Sequence, residues 1–71
     1  MKLSYDDKTD LLYIRLDNRK QKLINKKITD EIVLDLGKDN KVVGIEILDA
    51  SKRINLESLL PVQYEVSKKA G

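Results

Sequence analysis

Ile32-Val33-Leu34-Asp35-Leu36-Gly37-Lys38-Asp39-Asn40-Lys41-Val42-Val43-Gly44-Ile45-Glu46-Ile47-Leu48 reads as two strands joined by a tight turn. Ile32, Leu34 and Leu36 recur every second residue, and so do Val43, Ile45 and Ile47. A period of two places each set on one face of an extended strand, the pattern of a half-buried antiparallel sheet. Gly37-Lys38-Asp39-Asn40 between them is turn chemistry. Pairing Leu36 with Lys41 sets Leu34 against Val43 and Ile32 against Ile45, so the apolar faces coincide without a bulge. A slip of one residue would turn every one of these side chains to the wrong face.

The same pattern appears upstream. Leu12, Ile14 and Leu16 share a face, and Asp7-Lys8-Thr9-Asp10 can close a hairpin onto the N-terminus. Pairing Asp6 with Leu11 brings Tyr5 to Leu12 and Leu3 to Ile14. Strands are therefore predicted near 2–6, 11–17, 28–36 and 41–48. Residues 18–27 form a longer connection, with or without a strand extension around Leu23-Ile24. After Asp49 the period changes. Asn55 can cap a short helix carrying Leu56, Leu59 and Leu60, or Ser51 can start it a turn earlier, and Pro61 stops it. Such a helix would cover the apolar sheet face. Val62-Gln63-Tyr64-Glu65-Val66 alternates again and reads as a fifth strand, or as one donated to a neighbouring subunit; residues 67–71 read as a mobile tail. The expected class is α+β: one domain over residues 1–71, with a small antiparallel sheet of four strands, or five, and a short C-terminal helix.

Composition narrows the chemistry. A chain of 71 residues is small for a self-sufficient core, and such chains often lean on a disulfide, a metal or a partner subunit. There is no cysteine and no histidine. Disulfides, thiolate metal sites and the commonest general base are thereby removed. A homo-oligomer, dimer or larger, is the remaining support. The 14 basic and 12 acidic residues leave a net charge of +2, far from the dense basic field of a dedicated nucleic-acid binder. No apolar run reaches membrane-spanning length, and the N-terminus has no apolar signal core, so a cytoplasmic protein is expected.

Two segments carry a resemblance. Tyr5-Asp6 with Asp10-Leu11-Leu12-Tyr13-Ile14, and Gly44-Ile45-Glu46-Ile47-Leu48-Asp49-Ala50-Ser51, resemble a family of small prokaryotic proteins of unknown function. Its pattern is Y-D-x-x-x-D-x-L-Y-I followed by G-x-E-I-L-D-A-S, and the match runs over residues 5–51. The second segment is the more specific, since the first is partly hairpin chemistry. The turn Gly37-Lys38-Asp39-Asn40 departs from the family's usual acidic-glycine turn. The resemblance implies a small antiparallel sheet with a helical element and no activity. Family members beside toxin-like proteins imply an antitoxin-like, partner-binding role.

The second sheet face is where function would sit. It should carry Leu11, Tyr13 and Arg15, then Glu31, Val33 and Asp35, then Val42, Gly44, Glu46 and Leu48. Half of it is apolar or aromatic, which suits a contact surface, although single exposed apolar residues are ordinary. Tyr13, Arg15, Val33, Gly44, Glu46 and Leu48 are the interface candidates. The expected register sets Glu46 against Glu31, a like-charge pair that needs Arg15, a cation or a raised carboxyl pKa to compensate. Glu31, Asp35 and Glu46 are accordingly the candidates for a metal-dependent or small-ligand site with hydrolytic chemistry, though hard-metal sites usually take more ligands. Gly44 within a strand marks a bulge or a close approach, with Tyr13 the ring to lie over it.

Other clusters have plainer readings. Asp6, Asp7 and Asp10 lack calcium-loop spacing and fit Asx-turn chemistry. Arg19, Lys20, Lys22, Lys26 and Lys27, with Lys52 and Arg53, suit a solvated surface better than a nucleic-acid contact, having no interleaved aromatic residue. Ser51 without a histidine is a turn or cap residue rather than a nucleophile. The balance leans away from an enzyme and expects no cofactor. A non-catalytic interaction or oligomerisation module is the first reading, and the carboxylate site the alternative.

Overall fold

The computed structural model describes residues 1–59. Five strands form one antiparallel sheet: β1 (Lys2–Asp6), β2 (Leu11–Arg15), β3 (Ile24–Lys27), β4 (Ile32–Leu36) and β5 (Val42–Ile47). Their spatial order is β1-β2-β5-β4-β3, so β5 inserts between the two earlier hairpins and its neighbours are β2 and β4. Two helical turns follow, α1 (Ala50–Arg53) and α2 (Leu56–Leu59), completing an α+β fold. No helix among the described residues is long and apolar enough to cross a membrane.

The first hairpin has the expected register: Asp6 pairs with Leu11, Tyr5 with Leu12 and Leu3 with Ile14. Its turn is held by the Asp6 carboxylate, which accepts the Lys8 amide at 2.9 Å, and by Asp10 in the left-handed region at φ 54°. The β4–β5 register differs from the expected one. Leu34 pairs with Ile45 and Ile32 with Ile47, while Leu36 pairs with Val42. Two adjustments add up. The turn is tighter, because Asp39 and Asn40 both adopt positive φ and Gly37 donates its amide to the Lys41 carbonyl at 2.8 Å. The ladder is then irregular at Asp35/Leu36, where Val43 becomes the extra residue of a bulge. Each adjustment shifts the pairing by one residue. Beyond the bulge they shift it by two, which keeps Ile45 and Ile47 on the face of Ile32 and Leu34 but changes their partners, while Val42 moves opposite Leu36.

The predicted strand over 28–36 is instead a turn at 28–31 followed by β4. Thr29 Oγ1 accepts the amides of Glu31 and Ile32, both at 3.1 Å, and Ile28 donates to the Ile32 carbonyl at 2.9 Å. This hydroxyl-capped turn reverses the chain and makes residues 24–27 the fifth strand, on the outer edge of β4. The candidate fifth strand at 62–66, Leu60, Pro61 and the 67–71 tail lie outside the described residues. Asn55 caps α2 as expected: its side-chain oxygen accepts the amides of Glu57 at 3.1 Å and Ser58 at 3.3 Å.

The aliphatic face carries Leu3, Tyr5, Leu12, Ile14, Ile32, Leu34, Ile45 and Ile47. Leu12 is fully buried on it, and Val43 and Ala50 are the other fully buried apolar residues among those described. Ile54, following α1, lies beside Ile32 and Ile47 and places the helical segment on this side. The entry into α1 is held by Asp10. Its carbonyl accepts the Ala50 amide at 3.0 Å, and its carboxylate accepts the Ser51 amide at 2.9 Å, the Ser51 hydroxyl at 2.7 Å and the Tyr5 hydroxyl at 2.7 Å. Asp49, just before, sits in the left-handed region at φ 53°. Tyr5, Asp10 and Ser51, drawn from both segments of the resemblance, thus meet at one point.

The hydrogen bonds from Ser51 and then Tyr5 stabilise the Asp10 carboxylate and lower its pKa. A lowered folded-state pKa contributes stability above the ordinary carboxylate range and loses it as pH falls through the folded value. Asp10→Asn should therefore melt at lower temperature than the wild type at neutral pH, with the two converging under acid conditions. Ser51→Ala, which removes one hydrogen bond to a charged group, should lower the midpoint of chemical denaturation.

Candidate functional site

On the opposite face, β5 sets Glu46 between Tyr13 of β2 and Val33 of β4, and sets Gly44 between Arg15 and Asp35. β3 adds Asn25 next to Asp35. Four strands thus contribute one polar cluster. The Tyr13 hydroxyl donates to Asp35 Oδ2 at 2.9 Å and accepts from Arg15 Nη1 at 3.1 Å. Asn25 Nδ2 donates to Asp35 Oδ1 and lies 3.5 Å from Glu46 Oε2. Asp35 is 5% exposed, the one buried charged residue among those described, and both its oxygens are occupied. Burying a carboxylate is tolerable only with such partners.

Gly44 is required by Tyr13. A β-carbon at Gly44 would lie 2.9 Å from two carbons of the Tyr13 ring and would also meet its hydroxyl. The bare backbone lets the ring lie flat across β5, and this carries its hydroxyl over to Asp35.

Arg15 is a tether rather than a counter-ion to Glu46. Its guanidinium donates to the Asp17 carbonyl at 2.6 Å and to the Arg19 carbonyl at 3.2 Å, pinning the start of the β2–β3 connection. Partial burial first, then a hydrogen bond to Asp35 and that residue's negative charge, push the Glu46 carboxyl above its usual pKa. The Glu31–Glu46 opposition expected from the sequence does not occur. The tighter turn and the bulge set Glu46 against Val33, and Glu31 forms an ion pair with Arg53 near Ile32, Ile47 and Ile54. Of the three carboxylates considered for a metal, only Asp35 and Glu46 come together. No group of three His, Cys, Asp or Glu residues suited to a metal occurs among the described residues.

Five of the six interface candidates, Tyr13, Arg15, Val33, Gly44 and Glu46, lie on adjoining rows of this face. Leu48 lies one residue beyond β5, exposed, with its amide bonded to the Glu31 carbonyl at 2.7 Å. Val42, expected here, is drawn opposite Leu36 by the bulge. Asn25 and Asp10 were missed by sequence reasoning. Asn25 sits in a short basic stretch with no alternation strong enough to fix a strand, and Asp10 read as a turn former alone. The basic residues are partly neutralised nearby: Arg19 pairs with Asp17 at 2.7 Å and Lys27 with Asp30 at 3.3 Å.

A family model described as "Protein of unknown function (DUF2283)" matches residues 2–51. The chain belongs to this family. The matched span contains all five strands and ends on Ser51, the residue that closes onto Asp10. The DUF2283 chain is also 38% identical over 65 residues to a Methanosarcina mazei protein named "Putative hypoxanthine phosphoribosyltransferase". That alignment takes in 89% of this chain and 51% of the other, so the chain spans about half the length of this relative. No solved structure matches the chain.

Two substitutions test the geometry. Gly44→Ala should displace the Tyr13 ring and destabilise the fold by about 1–3 kcal/mol in urea unfolding. Glu46→Gln should raise the melting temperature at neutral pH. With the folded-state pKa raised, the fold favours protonated Glu46, so wild-type stability declines as pH rises from the ordinary glutamate range through the folded value. The amide mimics the protonated acid and should remove that decline.

Proposed function

We propose that this DUF2283 domain is a non-catalytic interaction module that works as an oligomer and offers its polar sheet face to a protein partner. The observation that carries the reading is the closed network of Tyr13, Arg15, Asn25 and Asp35. Each group is used to hold another or to pin the backbone. A catalytic centre needs groups poised toward substrate, whereas groups that hold each other build a shaped, rigid surface. Val33 and Leu48 supply apolar contacts beside that network, and Glu46 and Arg15 supply charge for register and specificity. An antitoxin-like role, in which a small sheet protein masks a partner, fits such a surface, as does a cytoplasmic setting.

The second reading is a small-ligand or divalent-cation site at Asp35 and Glu46. It is favoured by the burial of Asp35 and by the raised Glu46 pKa, since two nearby carboxylates of unequal acidity are the raw material of acid–base chemistry. Glu31 no longer belongs to it. The phosphoribosyl transfer in the name of the archaeal relative stays with that protein, of which this chain spans about half.

Light scattering at tens of micromolar protein should give a dimer or larger mass, and a strict monomer would count against the oligomer. Millimolar Mg²⁺, Mn²⁺ or Ca²⁺ should leave the melting temperature unchanged. A cation-dependent rise that disappears in Glu46→Gln would instead support the second reading.

A further inference from the structure

The two edges of the sheet are chemically unlike. β3 ends in Lys26 and Lys27, and all four of its residues are exposed. Lysines along an edge strand oppose pairing with another copy, because a two-fold axis there brings like charges together. β1, Lys2-Leu3-Ser4-Tyr5-Asp6, carries a single lysine at one end; four of its five residues are exposed, and among the described residues β2 is its sole neighbour in the sheet.

β1 is also self-complementary. Antiparallel pairing of two copies about a two-fold axis perpendicular to the sheet preserves the faces only when the axis passes through a residue. An axis at Ser4 uses all five residues. It sets Lys2 against Asp6 of the second copy, and Leu3 against Tyr5, twice each. The first pair is oppositely charged on the polar face. The second is an aliphatic–aromatic pair on the face that already holds Leu3 and Tyr5. An axis at Leu3 leaves Asp6 unpaired, and one at Tyr5 sets Lys2 against Lys8.

We propose that a second copy of this chain pairs with the β1 edge about a two-fold axis at Ser4, joining two five-stranded sheets into one continuous sheet. The inference rests on the oligomeric part of the proposed function and is independent of what the polar face contacts. Edge pairing leaves both polar faces open on the same side of the joined sheet. The two aliphatic faces likewise adjoin through Leu3 and Tyr5.

The test uses the full chain and exploits a property of a residue on its own axis: Ser4 meets itself. Ser4→Lys and Ser4→Glu should each weaken self-association by about tenfold or more in sedimentation velocity, whichever the sign of the charge. A mixture of the two variants in equal amounts should recover the dimer, because opposite charges then meet across the axis. Ser4 is an exposed edge residue, and thermal melts of both variants check that the fold is retained. A wild-type dimer that both variants leave intact, or a mixture that fails to recover it, overturns the edge assignment while the oligomer stands. A wild-type monomer overturns both. A wild-type monomer whose outward β1 amides are protected in hydrogen exchange would show that another part of the same chain occupies the edge.

Discussion

The Asp10 carboxylate is the point on which this sheet depends. β1 and β2 form one hairpin, and β3, β4 and β5 form a separate three-stranded unit. Among the described strands, the two halves pair only along β2 and β5, through four residue pairs. At one end of that seam, Asp10 gathers Tyr5 from the first strand and Ser51 from the turn after the last. A seam of four pairs is short for two units that must move as one. A charge-assisted clamp at its end sets the distance between the first turn and the exit of β5. Ala50 is completely buried beneath it, so the clamp also governs where the helical segment begins.

The other end of the seam is ordered by Gly44. The missing side chain lets the Tyr13 ring cross β5 and reach Asp35, and Asp35 in turn holds Asn25. Three contacts across three strand boundaries follow from one absent methyl group. The Arg15 guanidinium extends the same chain of contacts outward to the carbonyls of Asp17 and Arg19. The polar face is accordingly a set of mutually positioned groups, whereas the aliphatic face depends on non-directional burial.

Much of this was legible in the alternation of apolar residues. The first hairpin could be placed to the residue because its turn is short and its two apolar faces admit one register. The faces of β4 and β5 were also legible, but their partners were not. A turn one residue tighter and a bulge of one residue leave Ile45 and Ile47 on their expected face, so the pattern cannot distinguish the two registers there. β3 could be read only as an undecided strand extension around Leu23-Ile24, because Ile24-Asn25-Lys26-Lys27 has a single apolar residue on an exposed edge, which gives burial nothing to imprint. Its separation from β4 was hidden because Thr29 ends one strand through a hydroxyl-capped turn, within a stretch whose side chains also suit an extended strand.

The sequence by itself determined the class of fold, the two faces of the sheet, the need for a glycine at position 44 and the absence of thiol and imidazole chemistry. These follow from period, volume and residue type, which are local properties. Only the tertiary structure decided that Asp10 clamps Ser51, that Asn25 and Tyr13 converge on Asp35, and that Glu46 faces Val33 while Glu31 turns to Arg53. Apart from the Asn25–Asp35 contact within the β3–β4 pair, these contacts span the insertion of β5 between two hairpins or a shift in register. A side chain's partner across a sheet is set by strand order and bulges, which the period of two does not record.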